Sequence, residues 1–151
     1  MTTTIKWFGH AALSMNTAGK QLLLDPYFTG NSQTKQDPGQ VSADYILITH
    51  GHGDHVGDAL AIASRTGAIL ISNAEICAWF AAKGIKTHAQ HLGGGFHYPF
   101  GYLKLTFALW LRPARWLKRG QPGWVPADHA GGEKALLRRR YWSVWGYEIN
   151  R

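Results

Sequence analysis

An α/β layer arrangement is the fold class this sequence predicts, and three observations carry it. Four apolar residues in a row, Tyr45 to Ile48, read as a strand buried on both faces. Helical spacing takes over a few residues later, and strand and helix patterns then alternate as far as residue 109. Glycines stand where the two helix patterns stop, at Gly67 and Gly84.

The elements follow in order. The stretch TIKWFGHAAL, from Thr4, alternates and is rich in strand formers. KQLLLDPYFTGN, from Lys20, is a short apolar strand closed by turn chemistry at Asp25-Pro26 and Gly30-Asn31. SADYILITH holds the buried strand, with Thr49 as its first polar residue. DHVGDALAIASRTG reads as one helix with Val56, Leu60 and Ala63 on a common face and Gly67 as its stop. AILIS is a strand, and NAEICAWFAAKG is a helix capped by Asn73 and ended by Gly84. HLGGGFHYPFG reads as a glycine-rich loop, and the alternating strand YLKLTFAL ends the series at Leu109.

With 151 residues the chain has room for one domain and a modest core. A hydrophobic content of 45% and a charged content of 17% exclude a disordered chain. No apolar run approaches the ~18 residues of a bilayer span, and the first residues lack the basic-then-apolar layout of a signal peptide. No membrane partner is expected. The single Cys77 excludes an internal disulfide and fits a reducing cytoplasm, the expected location. Cys77 shares an apolar helical pattern with Ile76 and Phe80 and reads as core.

The net charge of +7 would suggest an acidic partner, but its distribution argues otherwise. Residues 1–109 hold seven Lys/Arg against six Asp/Glu, whereas residues 110–151 hold nine against three, with five of the seven tryptophans. The chain therefore divides into an α/β part, 1–109, and a Trp/Arg-rich tail, 110–151, expected to be irregular.

ILITHGHGDHVGD carries the chemistry. His50, His52, Asp54 and His55 fall within six positions, where a buried strand ends and a helix begins. In an extended turn His50 and His52 project to the same side, so two imidazoles can share one metal ion. Asp54 and His55, at the helix start, can reach a second ion, and Gly51 and Gly53 are expected to let the backbone fold tightly enough to gather all four. Mixed imidazole and carboxylate donors suit Zn²⁺ first, then Fe²⁺ or Mn²⁺.

On these residues the chain resembles the metallo-β-lactamase superfamily, whose signature is His-x-His-x-Asp-His after a buried strand. IKWFGHAAL, LLLDPYFTGN, ITHGHGDHVGDA and FGYLKLTFAL are similar to a metal-dependent hydrolase branch close to the ascorbate-6-phosphate lactonases. The resemblance implies an αββα sandwich, represented here by roughly its N-terminal half. It implies a two-metal site, zinc by preference, with His50 and His52 on the first ion and Asp54 and His55 on the second. It also implies a hydroxide held between the ions that attacks an ester, lactone or phosphoester of a small molecule, oriented by Asp54 as catalytic residue. Asp25, at a strand end, is a candidate to accept the outer N–H of a ligand histidine, with a plain turn aspartate as the even alternative. His10 matches a family histidine near the site and is placed behind the ligands. His91 and His97 read as surface residues.

The resemblance stops at Trp110, which stands where the family has its third histidine. The bridging aspartate and the last histidine also lack counterparts, so each ion would keep two protein ligands and bind weakly. A reading-frame change at Leu109–Trp110 accounts for the tail: one frame over, permitted codons spell His-Gly-Ser from Trp110 and a string containing Gly-Asp-Thr-Gly after His129. In that frame Trp142 and Trp145 give only Gly, and Glu148 only Lys or Arg. The chain is then expected to be a weak hydrolase or none, prone to self-association through an uncovered sheet face. Two rival readings are an active hydrolase using Asp128 and His129 as substitute ligands, and a nucleic-acid-binding module built on the basic tail. The tail shows no helical or alternating period between Trp110 and Trp124, which ranks the nucleic-acid reading below the frame change.

Overall fold

A computed structural model of the chain describes residues 2–110 and 142–150. The chain divides into two compact units, residues 1–107 with 145–151, and residues 108–144. The first holds the site.

Its larger sheet has six strands in chain order: β1 (Thr4–Trp7), β2 (Leu13–Thr17), β3 (Lys20–Leu24), β4 (Tyr45–Leu47), β5 (Ile69–Ser72) and β6 (Thr87–Ala89). β1, β2 and β3 pair antiparallel, and β3 to β6 pair parallel. The β4–β5 and β5–β6 pairs are joined through helices α2 (Ala59–Thr66) and α3 (Ala74–Ala81), whereas β3 reaches β4 through a long connection, residues 25–44, whose helical turn is Pro38–Gln40. A second sheet has the order β7 (Gly95–Tyr98), β8 (Gly101–Trp110), β9 (Trp142–Asn150).

The apolar run at residues 45–48 is explained by burial on both faces. Ile46 and Ile48 join Leu23 and Leu70 in one core, beneath Ala59, Ile62 and Ala63 of α2 and Cys77 and Phe80 of α3. Tyr45 and Leu47 point the other way and join Leu22, Ile71, Phe100 and Leu103 in a second core shared with β8. Adjacent side chains alternate between faces, so a strand buried on both has no room for a polar position. The layers are thus helices, sheet, sheet, three of the four implied by an αββα sandwich.

Several sequence expectations change. The helix read from Asp54 to Gly67 is two: α1 (Gly53–Val56) and α2, separated at Gly57. Gly57 has φ +42°, and a Cβ there would lie 2.6 Å from the Pro26 carbonyl oxygen and 2.7 Å from Tyr27 Cα. The 25–29 loop packs against this backbone, so a continuous helix would collide with it. As a result the buried face of α2 is Ala59, Ile62 and Ala63, while Val56 and Leu60 are only partly buried. Residues 95–98 of the glycine-rich loop become β7, which pairs in register with β8 from Gly95↔Lys104 to Tyr98↔Gly101. Three adjacent glycines hid its aromatic alternation. β6 was missed because three residues are too few to show a period.

The tail, read as irregular, contributes β9. Tryptophan, valine, tyrosine and isoleucine dominate Trp142–Asn150, and such residues favour a pleated strand whatever lies upstream. Residues 111–141, including Asp128 and His129, lie outside the described residues. Other expectations hold: the Asn73 side chain accepts from Ile76 N at 2.9 Å at the start of α3, and Cys77 is buried. Among the described residues no helix is long and apolar enough to cross a membrane.

Candidate metal centre

Strand direction sets the site. Trp7, Leu13, Leu24, Leu47 and Ile71 stand in one row across the sheet. Just beyond that row lie the β1–β2 turn, the ends of β3 and β4, and therefore His10, Asp25 and Thr49–His55. This is the carboxyl edge of the parallel strands, where α/β sheets hold their ligands.

Asp25 anchors the cluster. It is 1% exposed, and its carboxylate accepts from Thr49 N at 2.8 Å, from the Thr49 hydroxyl at 2.6 Å and from His55 Nδ1 at 2.8 Å. A carboxylate in this position accepts, so His55 carries its proton on Nδ1 and presents a lone pair at Nε2. The Thr49 hydroxyl, having donated to Asp25, accepts from His50 Nδ1 at 3.0 Å. That leaves the His50 Nε2 lone pair also facing outward, 3.1 Å from His52 Nδ1. Burial, followed by repulsion from His55 and His52, holds His50 below its ordinary pKa, so the neutral, ligating form prevails at neutral pH.

Two donor groups result. His50 and His52 meet at their nitrogens, as their alternation along the turn requires. Asp54 and His55 meet a third residue, because His10 Nε2 lies 3.3 Å from Asp54 Oδ2 and 3.2 Å from His55 Nε2. Among the described residues these last three form a group whose ligand atoms all lie within 4.8 Å of one another. Donors about 2.0–2.1 Å from a tetrahedral ion stand about 3.3 Å apart, which the His50–His52, His10–Asp54 and His10–His55 separations match. The donor chemistry and spacing fit a divalent metal.

Gly51 and Gly53 do not serve the purpose first assigned to them. Neither has a positive φ, and a Cβ on either would meet nothing within 4 Å. The donors gather because Asp25 and Thr49 hold the two central imidazoles from behind. His91 and His97 are exposed, the latter packed on Tyr102. Trp110 is the last residue of β8.

A family model described as the metallo-beta-lactamase superfamily matches residues 11–139. The chain belongs to that superfamily. Its match extends past residue 109, where the resemblance read from motifs ends. A UPF0173 metal-dependent hydrolase of Carboxydothermus hydrogenoformans is 45% identical over 102 residues, 68% of this chain and 45% of that protein. One from Flavobacterium johnsoniae is 43% identical over 106 residues, 70% of this chain and 47% of that protein. Among solved structures, the superfamily chain resembles Igni18, a metallo hydrolase from the archaeon Ignicoccus hospitalis. The TM-score is 0.63 and the identity 32%, over 70% of this chain and 48% of that one. It therefore spans about half the length of the relatives it matches.

Three residues that position the superfamily motif were not singled out from sequence. Thr49 was read only as the polar end of a strand, though its hydroxyl links Asp25 to His50. Asp58, directly before α2, leaves its helix uncapped and binds Phe28 N, Thr29 N and the Thr29 hydroxyl at 2.7–2.9 Å. Gln33 accepts from His10 N through Oε1. Only Thr49 had a local signal, as the lone hydroxyl next to the motif.

Proposed function

We propose that this chain presents a divalent-metal centre, zinc by preference, suited to hydrolysing an ester, lactone or phosphoester of a small molecule. One observation carries the reading. The Asp25–Thr49 pair fixes the proton of both His50 and His55 on Nδ1, which leaves the His50 Nε2 lone pair facing His52 and the His55 Nε2 lone pair facing His10. Imidazole and carboxylate donors in this proportion favour Zn²⁺, with Mn²⁺ or Fe²⁺ next. A bound divalent ion supplies Lewis acidity and lowers the pKa of water.

The chain's own residues then have distinct duties. His50 and His52 would hold one ion, and Asp54 and His55 the other. Asp25 and Thr49 keep the imidazoles oriented, so that little reorganisation is needed when charge develops. Asp54, on the open side, would help to orient the attacking water. The lone buried cysteine supports a reducing, cytoplasmic setting.

Turnover is expected to be weak or absent, because Trp110 occupies the place of a further ligand and no counterpart of the later ones follows. The test strips the chain with a chelator, reloads it with Zn²⁺, Mn²⁺ or Fe²⁺, and measures retained metal and hydrolysis of a lactone, a phenyl ester and a phosphodiester. Retained zinc with little turnover is the expected result. Robust turnover would overturn the expectation of weak activity, and no uptake of any metal would overturn the centre itself. Replacing Asp128 and His129 should leave metal content unchanged. A natural product heavier than these 151 residues would support the frame change at Leu109–Trp110.

A further inference from the structure

We infer that His10 is a direct metal ligand, the third protein donor beside Asp54 and His55, so that one ion is held entirely by residues within the first 55 of the chain. The inference deepens the metal-centre reading and rests on it. Sequence alone places His10 behind the ligands; the geometry places it among them.

The case begins with what surrounds His10 Nε2. His55 Nδ1 is committed to Asp25, so His55 Nε2 is an acceptor, and it lies 3.2 Å from His10 Nε2. Asp54 Oδ2, also an acceptor, lies 3.3 Å away. A neutral His10 has at most one proton at Nε2 and can satisfy only one of these neighbours. A cation between the three atoms satisfies all of them, and both spacings match the edge of a tetrahedron about a zinc-sized ion, about 3.3 Å. The three donors leave one tetrahedral position open, the arrangement of catalytic zinc.

The backbone of His10 shows the same commitment. It has φ +52°, a conformation that costs a residue with a Cβ about 1 kcal/mol or more. The β1–β2 turn holds it there. Phe8 N bonds Ala12 O at 2.9 Å, Trp7 Nε1 bonds His10 O at 3.0 Å, and His10 N bonds Gln33 Oε1 at 2.6 Å. The buried Asn31 fastens the turn from below, through Phe8 O and Gly9 O, each at 3.4 Å. Glycine would adopt this φ without strain, and the contacts of the turn hold the imidazole in it. The turn aims it across the sheet edge at residues more than forty positions later.

The rival is a plain ion pair between a protonated His10 and Asp54, with no metal contact. Cobalt titration separates the two. The full chain, stripped of metal, is titrated with Co²⁺, and visible absorption and bound-metal stoichiometry are followed for wild type, His10→Asn, His10→Phe and His52→Ala. Asparagine tolerates the positive φ but is too short to ligate, and phenylalanine keeps ring bulk without a donor.

Both His10 variants are expected to lose one equivalent of Co²⁺ by about 100-fold or more in affinity, beyond the 10–100-fold typical of removing an outer hydrogen-bond partner. His52→Ala should spare that equivalent and weaken the other. A measurement needing no mutation accompanies these: on adding Zn²⁺ to wild type, the His10 Nε2 nitrogen resonance should shift together with that of His55. If wild type binds Co²⁺ and both His10 variants bind it equally well, or the His10 resonance stays in place, His10 is not a ligand while the centre stands. If wild type binds no Co²⁺, the centre falls, and His10 with it.

Discussion

The antiparallel half of the large sheet, β1 to β3, and its parallel half, β4 to β6, reach the same edge by different means. The parallel half offers His50, His52, Asp54 and His55 from one strand-to-helix junction, neighbours in sequence and free of positive φ. The antiparallel half offers His10 and Asp25, fifteen residues apart, with φ of +52° and +42°. Ala18, the other non-glycine with positive φ among the described residues, lies in the same half, in the two-residue turn between β2 and β3. Their strands differ most in burial between β4, every residue of which is buried, and β1, which is exposed throughout, with Trp7 63% exposed. The parallel half supplies a site by sequence proximity. The antiparallel half supplies it by positive-φ backbone, held at Asp25 by Thr49 and His55 of the other half and at His10 by Gln33 and Asn31.

Asp25 is the strongest of those contacts and gives the largest expected effect. Asp25→Ala strands Thr49 N, the Thr49 hydroxyl and His55 Nδ1 in a buried setting, and should cost about 3–5 kcal/mol in chemical denaturation. A loss under about 1 kcal/mol would mean the two halves are not coupled there. Gly57→Ala comes next, because its Cβ meets main-chain atoms of Pro26 and Tyr27 that cannot swing aside. The expected loss is about 2–3 kcal/mol, read from a thermal melt. An unchanged melt would place the 25–29 loop further from α1 than described. Asp58→Ala removes the carboxylate that holds that loop from the parallel half, and about 1–2 kcal/mol should go with it.

Ala18→Asn should act in the opposite direction. Asparagine accepts a positive φ in a two-residue hairpin turn more readily than alanine, so a gain of about 0.5–1 kcal/mol is expected. A loss would show that Ala18 is held by packing and not by turn geometry. The smallest effect is one of pH, measured on the metal-free chain. His50 in the folded chain lies below its ordinary value of 6.5, so just beneath that value the unfolded chain binds the proton first. Stability should therefore fall as pH drops from 7 through this window. His50→Gln should flatten that part of the curve.

The parallel half was the more legible because its information is local. A run such as Tyr45–Ile48 can only be a strand covered on both faces, and His50-x-His52-x-Asp54-His55 states its chemistry in six positions. Asn73 and Gly84 bracket the second helix pattern by rules that act within one turn. The DP of Asp25-Pro26 was ambiguous because a turn aspartate and a buried anchor look alike until the partner strand is placed. β7 was hidden by three glycines, and the break at Gly57 by a helical spacing that runs on across it.

By itself, then, the sequence determined the alternation of strand and helix between β4 and α3, the four-residue donor motif and the strand end that carries it. Periodicity and spacing record contacts between near neighbours, and these features are built from such contacts. Only the tertiary structure decided that Asp25 anchors His55 and, through Thr49, His50, that Gly57 splits a helix, and that His10 stands beside Asp54 and His55. Each depends on atoms brought together across 24 to 45 residues of chain, and over such separations no local preference records which side chains will meet.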